Sequence, residues 1–316
     1  MKYFVNEEQS NDVKQHSNRN SLIELYRFLF SLWVVWYHGY FAFKNQYFSH
    51  GYIAVEFFFI LSGFYIFKTI EKQTDKPFFC GLWNVLWSRT KSLGLPFVVG
   101  LIFVVWNMIL EGQISILGYL WYIPFMLLSF ALIYSLKRLI KNNKIINIIL
   151  IVIVVVSYVL LYVPILPGWG LFRGLGGVCI GALVSQIPKI NFKLKKFDFN
   201  WLITFLLFAT VVVLAFLPKT NMISEYFLVF LLFPMLIYFT STLSFSCKLL
   251  NFLGSLSFGL YAYQCVLRVL EFYVALKQLW LFLILIGLVL VGKLTEFFLK
   301  KAITKLRSKR RVETQT

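Results

Sequence analysis

Residues 21–67 read SLIELYRFLFSLWVVWYHGYFAFKNQYFSHGYIAVEFFFILSGFYIF, two apolar runs of membrane-crossing length with a short polar break between them. In an α-helix, the eleven residues from Arg27 to His38 span about 16 Å and about three full turns, so both side chains project from one face. A hydrocarbon core is about 30 Å thick, which puts the two residues at different depths. The second run starts near Tyr52 and returns the other way, so Glu56 lies at a depth similar to His38. Ionisable side chains at membrane depth are expensive and mark function by default. Blander readings stand beside this one. Arg27 lies near its helix start and can snorkel to the headgroups. His38 can belong to an interfacial aromatic belt with Trp36 and Tyr37.

Outward from this stretch, composition fixes the class. Of 316 residues 59% are hydrophobic and only 14% charged, far from the balance of a soluble domain and typical of a multi-pass membrane protein. The net charge of +18 does not point to nucleic acid, because the basic residues fall in short clusters between apolar runs, where they act as orientation signals. Cys80, Cys179, Cys247 and Cys265 are scattered without metal-ligand spacing, so free thiols and no metal site are expected. Residues 1–20 are polar and read as a disordered cytosolic tail. No cleavable signal peptide is evident, since the first apolar run is too long for one.

The expected fold is all-α, with about ten transmembrane helices, near 22–43, 52–70, 92–110, 118–136, 145–164, 169–187, 200–217, 224–243, 252–273 and 278–299. Pro164, Pro167 and Gly168 mark a tight turn between the fifth and sixth. With the N-terminus in the cytosol, 24 of the 31 Lys and Arg residues fall on the cytosolic side, and only Lys44, Lys219 and Lys277 fall outside. This asymmetry predicts both termini inside, in the cell membrane. A membrane domain over 21–300 is then followed by a basic cytosolic tail over 301–316, suited to anionic lipid headgroups. His38, Glu56 and Arg173 come to lie in the outer half, with Gln264, Arg268 and Glu271 mid-depth to outer.

Other features have ordinary readings. Trp121 and Tyr122 in GYLWYIPF (118–125) fit an outer aromatic belt. Gly174, Gly176, Gly177 and Gly181 in FRGLGGVCIGAL suggest close helix packing. Arg268 and Glu271, three apart, can pair on one helix face. Ser62 reads as a structural serine.

The Arg27–His38 spacing and the string from Ala54 to Phe64, AVEFFFILSGF, resemble the acyltransferase-3 family of integral membrane acyltransferases. The family pattern is a basic residue, ten residues, a histidine, and then small-Val-acidic-x-Phe-Phe-x-x-Ser-Gly-Phe. More weakly, FRGLGGVCIGALV is similar to the family's arginine-and-glycine span, and FLGSLSFGLYAYQ to its late helix. The resemblance covers about 21–300. Two departures stand out. The family's Arg-x-x-Arg ahead of a proline is replaced by Arg89 and Lys91 in another register before Pro96, and Gln264 stands where the late helix often has histidine.

The resemblance implies transfer of an acyl group, acetyl foremost, from cytosolic acyl-CoA to a hydroxyl of a surface or exported polysaccharide or glycolipid. His38 would be the general base, and Glu56 its orienter or a second proton-handling group. Arg27, with Arg89 and Lys91, would bind the donor. Arg173, Trp121, Tyr122 and Gln264 would line the acceptor site. The chemistry is consistent: a hydroxyl needs a base while it attacks a thioester, and histidine titrates near neutrality. A polytopic transporter or flippase for a glycolipid or sugar is the alternative, without an evident internal repeat to support it.

Overall fold

The computed structural model describes residues 20–43, 50–73, 75–111, 120–161, 169–190, 193–194, 197–217, 222–273 and 278–313. The tail over 1–19 and the Pro164–Gly168 turn lie outside them. The described helices are α1 (Ser21–Phe43), α2 (Ala54–Glu71, entered through a 3₁₀ turn Gly51–Ile53), α3 (Phe78–Glu111), α4 (Tyr122–Leu139), α5 (Asn143–Leu160) and α6 (Trp169–Val184). They continue with α7 (Phe199–Phe216), α8 (Met222–Phe227), α9 (Phe233–Thr242), α10 (Lys248–Tyr273) and α11 (Gln278–Glu313). A two-residue antiparallel ribbon, Lys193–Leu194 with Phe197–Asp198, precedes α7.

Among the described residues seven helical segments are long and apolar enough to cross a membrane, and α6 is apolar but shorter. The chain is thus an all-helical, multi-pass membrane protein in its described part. The described parts of the runs singled out in the sequence lie largely on helices, seven of which are long and apolar enough to span. α1 is outside the seven; Glu24, Arg27, Ser31 and His38 make it less apolar.

The chain divides into two compact units, Met1–Trp87 with Trp121–Ser257, and Ser88–Leu120 with Phe258–Thr316. In the first, α2 is the central helix: 72% of its apolar window is buried, against 22% for α7 and 28% for α5. A helix apolar all round belongs inside, and flanking helices can show an apolar outer face to lipid. α2 packs chiefly against α6, which also meets α5 and α4. Glycines make this crossing close. A Cβ on Gly63 would run into the Val178 carbonyl, and one on Gly181 into the Ile60 carbonyl. Small residues let backbones approach in just this way. On α2's other side the rings of Phe30, Phe57 and Phe233 form a cluster, with Phe30 and Phe57 centred 4.3 Å apart.

Asn20 caps α1, accepting from the Leu22 amide at 3.0 Å. Its side-chain amide also donates to the carbonyls of Thr240 and Leu243, tying α1 to the end of α9. Between α8 and α9 runs a π-helical turn, Leu228–Leu232. Pro234 follows at the start of α9. Proline has no N–H for the preceding turn, and the widened turn accommodates it.

α3 begins at Phe78, ahead of the third apolar run expected near 92–110. Phe79, Trp83 and Trp87 recur at helical spacing along an exposed stripe, with the two indoles stacked 5.7 Å apart. Arg89 and Lys91 therefore stand on a helix. Gly94, at φ 60° and ψ −147°, breaks α3, a conformation that glycine adopts without a side-chain clash. In the second unit Gly100 and Gly292 face the Ala262 carbonyl and the Tyr263 hydroxyl, and Lys293 pairs with Glu296 at 3.0 Å.

Candidate functional site

The site grows from the α2–α6 crossing. Arg173, Gly177 and Gly181 recur every four residues, one face of α6; Glu56, Ile60 and Gly63 form the matching face of α2. A Cβ on Gly177 would lie 2.6 Å from Phe59 Cβ and 3.2 Å from a Glu56 carboxylate oxygen, so glycine there makes the space the acid occupies. Glu56 sits in the first turn of α2, where the helix dipole favours a carboxylate. Arg173 Nε donates to Glu56 Oε1 at 2.6 Å, and Tyr158 of α5 donates to Oε2 at 3.0 Å.

Arg173 is fixed from other sides as well. Its Nη2 donates to the Tyr52 carbonyl at 2.6 Å. The rings of Tyr52 and Trp121 lie 5.7 and 5.6 Å from its guanidinium carbon. Its Nη1 carries donors that no described group takes up. Glu56 is 3% exposed and Arg173 7%. Each ion loses several kcal/mol of hydration, and close pairing with extra hydrogen bonds is what offsets that.

This pair borders a cavity of about 240 Å³, lined also by Tyr52, Tyr158, Glu225 and Tyr226. Glu225 on α8 accepts a hydrogen bond from the Tyr52 hydroxyl. The cavity's lining is mostly aromatic and aliphatic, with Ile53, Leu161 and Val229 beside the tyrosines, and Glu56, Glu225 and Arg173 as its charged groups. A second cavity of about 250 Å³, between α1 and α7, is lined by apolar and aromatic side chains such as Leu29, Trp33, Phe208 and Ala215.

The structure brings Glu56, Arg173 and Trp121 together. It does not pair Glu56 with His38: both carboxylate oxygens are engaged by Arg173 and Tyr158. Similar depth along two helices leaves their rotation about the bundle open, and the glycine-faced crossing turns Glu56 toward α6. His38 is half-buried, its ring 5.2 Å from that of Tyr37, which in turn meets Tyr52 at 5.5 Å. His38 thus adjoins the site through two tyrosines. Arg27 pairs with Glu24 at 2.8 and 3.0 Å on its own helix. Tyr122 is buried; its hydroxyl donates to the Phe58 carbonyl and shares a hydrogen bond with Ser62, so it fastens α4 to α2 and does not belong to a lipid-facing belt.

Arg89, Lys91 and Gln264 lie in the second unit. Lys91 is exposed, and Gln264 is buried, with both amide atoms unpartnered among the described residues. The side chains of Arg268, Glu271 and Cys265 lie outside the described residues. Cys80, Cys179 and Cys247 are free thiols. Among the described residues no three His, Cys, Asp or Glu gather where a metal could bind.

Sequence reasoning missed Tyr52, Tyr158, Glu225 and Tyr226. Glu225 had a readable signal, as the one acid between Asp198 and Glu271. Tyr158 had none, since one tyrosine in an apolar run is ordinary. The Glu24–Arg27 pair was legible as an i, i+3 spacing.

A family model described as an acyltransferase domain matches residues 20–294. No curated protein and no solved structure matches the chain.

Proposed function

The chain belongs to the acyltransferase-3 family, and from that premise we propose that it moves an acyl group, acetyl foremost, from cytosolic acyl-CoA to a hydroxyl of a surface or exported polysaccharide or glycolipid. The observation that carries this reading is the buried Glu56–Arg173 pair beside an aromatic-lined cavity, within the matched domain and two tyrosine rings from His38. An idle helix bundle has little use for so expensive an arrangement.

In this reading His38 takes the proton of the acceptor hydroxyl as its oxygen attacks the thioester carbonyl. The C–O bond forms, the C–S bond breaks, and the imidazolium returns the proton to the departing thiolate. Glu56 is a positioning residue, holding Arg173 so that its remaining N–H donors meet the acceptor. Trp121 confines the guanidinium, and Tyr122 holds α4 in place. Arg27, with a side chain 32% exposed, binds donor phosphate from the cytosolic side, helped by Arg89 and Lys91. Gln264 contributes amide hydrogen bonds to substrate. The charge asymmetry supports an even number of spans, ten in this reading, with both termini cytosolic, in the cell membrane.

The test is mass spectrometry of surface glycans and glycolipids from cells carrying the wild-type chain or His38→Ala at equal membrane abundance. The expected outcome is an acyl mass increment that falls by at least about 100-fold in the variant, the usual scale of a lost general base. Unchanged acylation, with the glycan itself missing or retained inside, refutes the reading and favours a flippase.

A further inference from the structure

We propose that Gln264 is a donor-binding residue whose buried side-chain amide holds the amide groups in the pantetheine arm of acyl-CoA. It rests on the acyltransferase reading for the identity of the donor.

Gln264 is 3% exposed, and neither its amide nitrogen nor its amide oxygen has a hydrogen-bond partner among the described residues. Buried polar groups are nearly always paired, and in an apolar helix at membrane depth no bulk water stands in for a missing partner. A glutamine offers two donors and an acceptor side by side. The group that completes it must accept and donate at once, which a phosphate, a carboxylate or an acyl chain does not do. Tyr261, three residues earlier on the same helix face and 8% exposed, adds an aromatic wall beside it.

Acyl-CoA carries the matching chemistry. Between its diphosphate and its sulfur lie two secondary amides, one on each side of a β-alanine unit. Their C=O and N–H groups lose water wherever the arm enters the hydrocarbon region, and each then needs a partner. The Gln264 amide can donate to the carbonyl of one and accept the N–H of the other.

Depth is consistent with this assignment. Gln264, Arg89 and Lys91 belong to the same unit of the fold. Within it α3 meets α10 at Gly100, where a Cβ would lie 3.2 Å from the carbonyl of Ala262, two residues before Gln264. Lys91 precedes Gly100 by nine residues, at most about 14 Å along α3 and less across the break at Gly94. The pantetheine arm runs through about twelve bonds from phosphate oxygen to sulfur, as many as four extended residues, or about 13 Å. An arm whose phosphates meet Arg89 and Lys91 therefore has the length to bring its amides to the depth of Gln264.

The experiment titrates the full chain in lipid nanodiscs by isothermal calorimetry. The probes are CoA, the same nucleotide without the arm (adenosine 3′-phosphate 5′-diphosphate), and two CoA analogues in which one or the other amide N–H is replaced by an ester oxygen. The wild-type chain is expected to bind CoA at least ~10-fold more tightly than the bare nucleotide, and to bind one of the ester analogues at least ~3-fold more weakly than CoA. Gln264→Leu removes the amide and keeps a side chain of similar size. It is expected to lower CoA affinity at least ~10-fold, to leave the nucleotide within about twofold, and to bind CoA and the ester analogues alike. Its unfolding midpoint should be unchanged or raised, because an apolar group replaces an unpaired buried amide. Unchanged CoA affinity in a folded Gln264→Leu overturns the proposal and leaves the amide to water or to an acceptor hydroxyl. An equal loss for CoA and nucleotide overturns it as well. The wild-type comparison needs no variant: equal affinity for CoA and both ester analogues is sufficient to overturn the contact. His38-dependent acylation of the glycan is followed separately by mass spectrometry. No CoA binding at all overturns both readings. CoA held through its arm without His38-dependent acylation sinks the acyltransferase reading and keeps the contact; acylation with arm-independent CoA binding does the reverse.

Discussion

Arg173 is held by one carboxylate, one carbonyl and two aromatic rings, and Glu56 by one guanidinium and one phenol. Removing one ion strands the other, which costs about 3–5 kcal/mol, whereas removing both leaves an apolar gap that packing can partly fill. Arg173→Leu is therefore expected to lower the thermal unfolding midpoint well below that of the double variant Arg173→Leu/Glu56→Leu, as measured on protein in nanodiscs. Equal midpoints would show that the pair does not act as a unit. Tyr158→Phe removes the hydrogen bond to the Glu56 carboxylate, and a loss of about 1.5–3 kcal/mol is expected in the same measurement. The sequence singled out both ions by their type and depth. Their pairing was not legible, because depth along a helix says nothing of which neighbour stands opposite. The expectation therefore gave Glu56 to His38, on the adjacent helix in the chain, when its partner comes from α6.

At the scale of elements, the α2–α6 crossing sets the site, and glycines set the crossing. Gly181→Val places a branched side chain against the Ile60 carbonyl and the Phe64 amide. Overpacking usually costs about 1–3 kcal/mol, and against rigid backbone the upper end or more is expected. The variant should show a lower unfolding midpoint and lose activity with it, since the Arg173–Glu56 geometry depends on this contact. Gly287→Ala on α11 is the control: a Cβ there meets nothing within 4 Å, so an unchanged or slightly raised midpoint is expected. The glycine spacing on α6 was readable in advance as a packing face, and packs as read. The first turns of α3 were not, because the surrounding lysines and arginines outweighed the spacing of Phe79, Trp83 and Trp87. The π-helical turn before Pro234 was equally hidden, yet it belongs to the segment that carries Glu225 and Tyr226 to the cavity.

At the scale of the whole molecule, the orientation in the membrane rests on the distribution of basic residues. In a background without its native cysteines, Leu217→Cys is expected to react with a membrane-impermeant maleimide in intact cells, and Lys141→Cys only after permeabilisation. Both positions are exposed in the structure, so a missing signal would not reflect burial. The reverse labelling pattern would overturn the assignment of cytosolic termini. The membrane class and the helical fold were determined by the sequence alone, since continuous apolar runs of about 20 residues satisfy their backbone in lipid as helices, whereas barrel strands are shorter and alternate. The sequence also supplied the acyltransferase motif and the residues most costly to bury. Tertiary structure decided which of those residues meet. It paired Arg173 with Glu56, and Glu225 with Tyr52. The reason is that hydropathy depends on the composition of each segment, while a site depends on the rotation of each helix about its own axis. That rotation is set by close contacts between segments far apart in the chain.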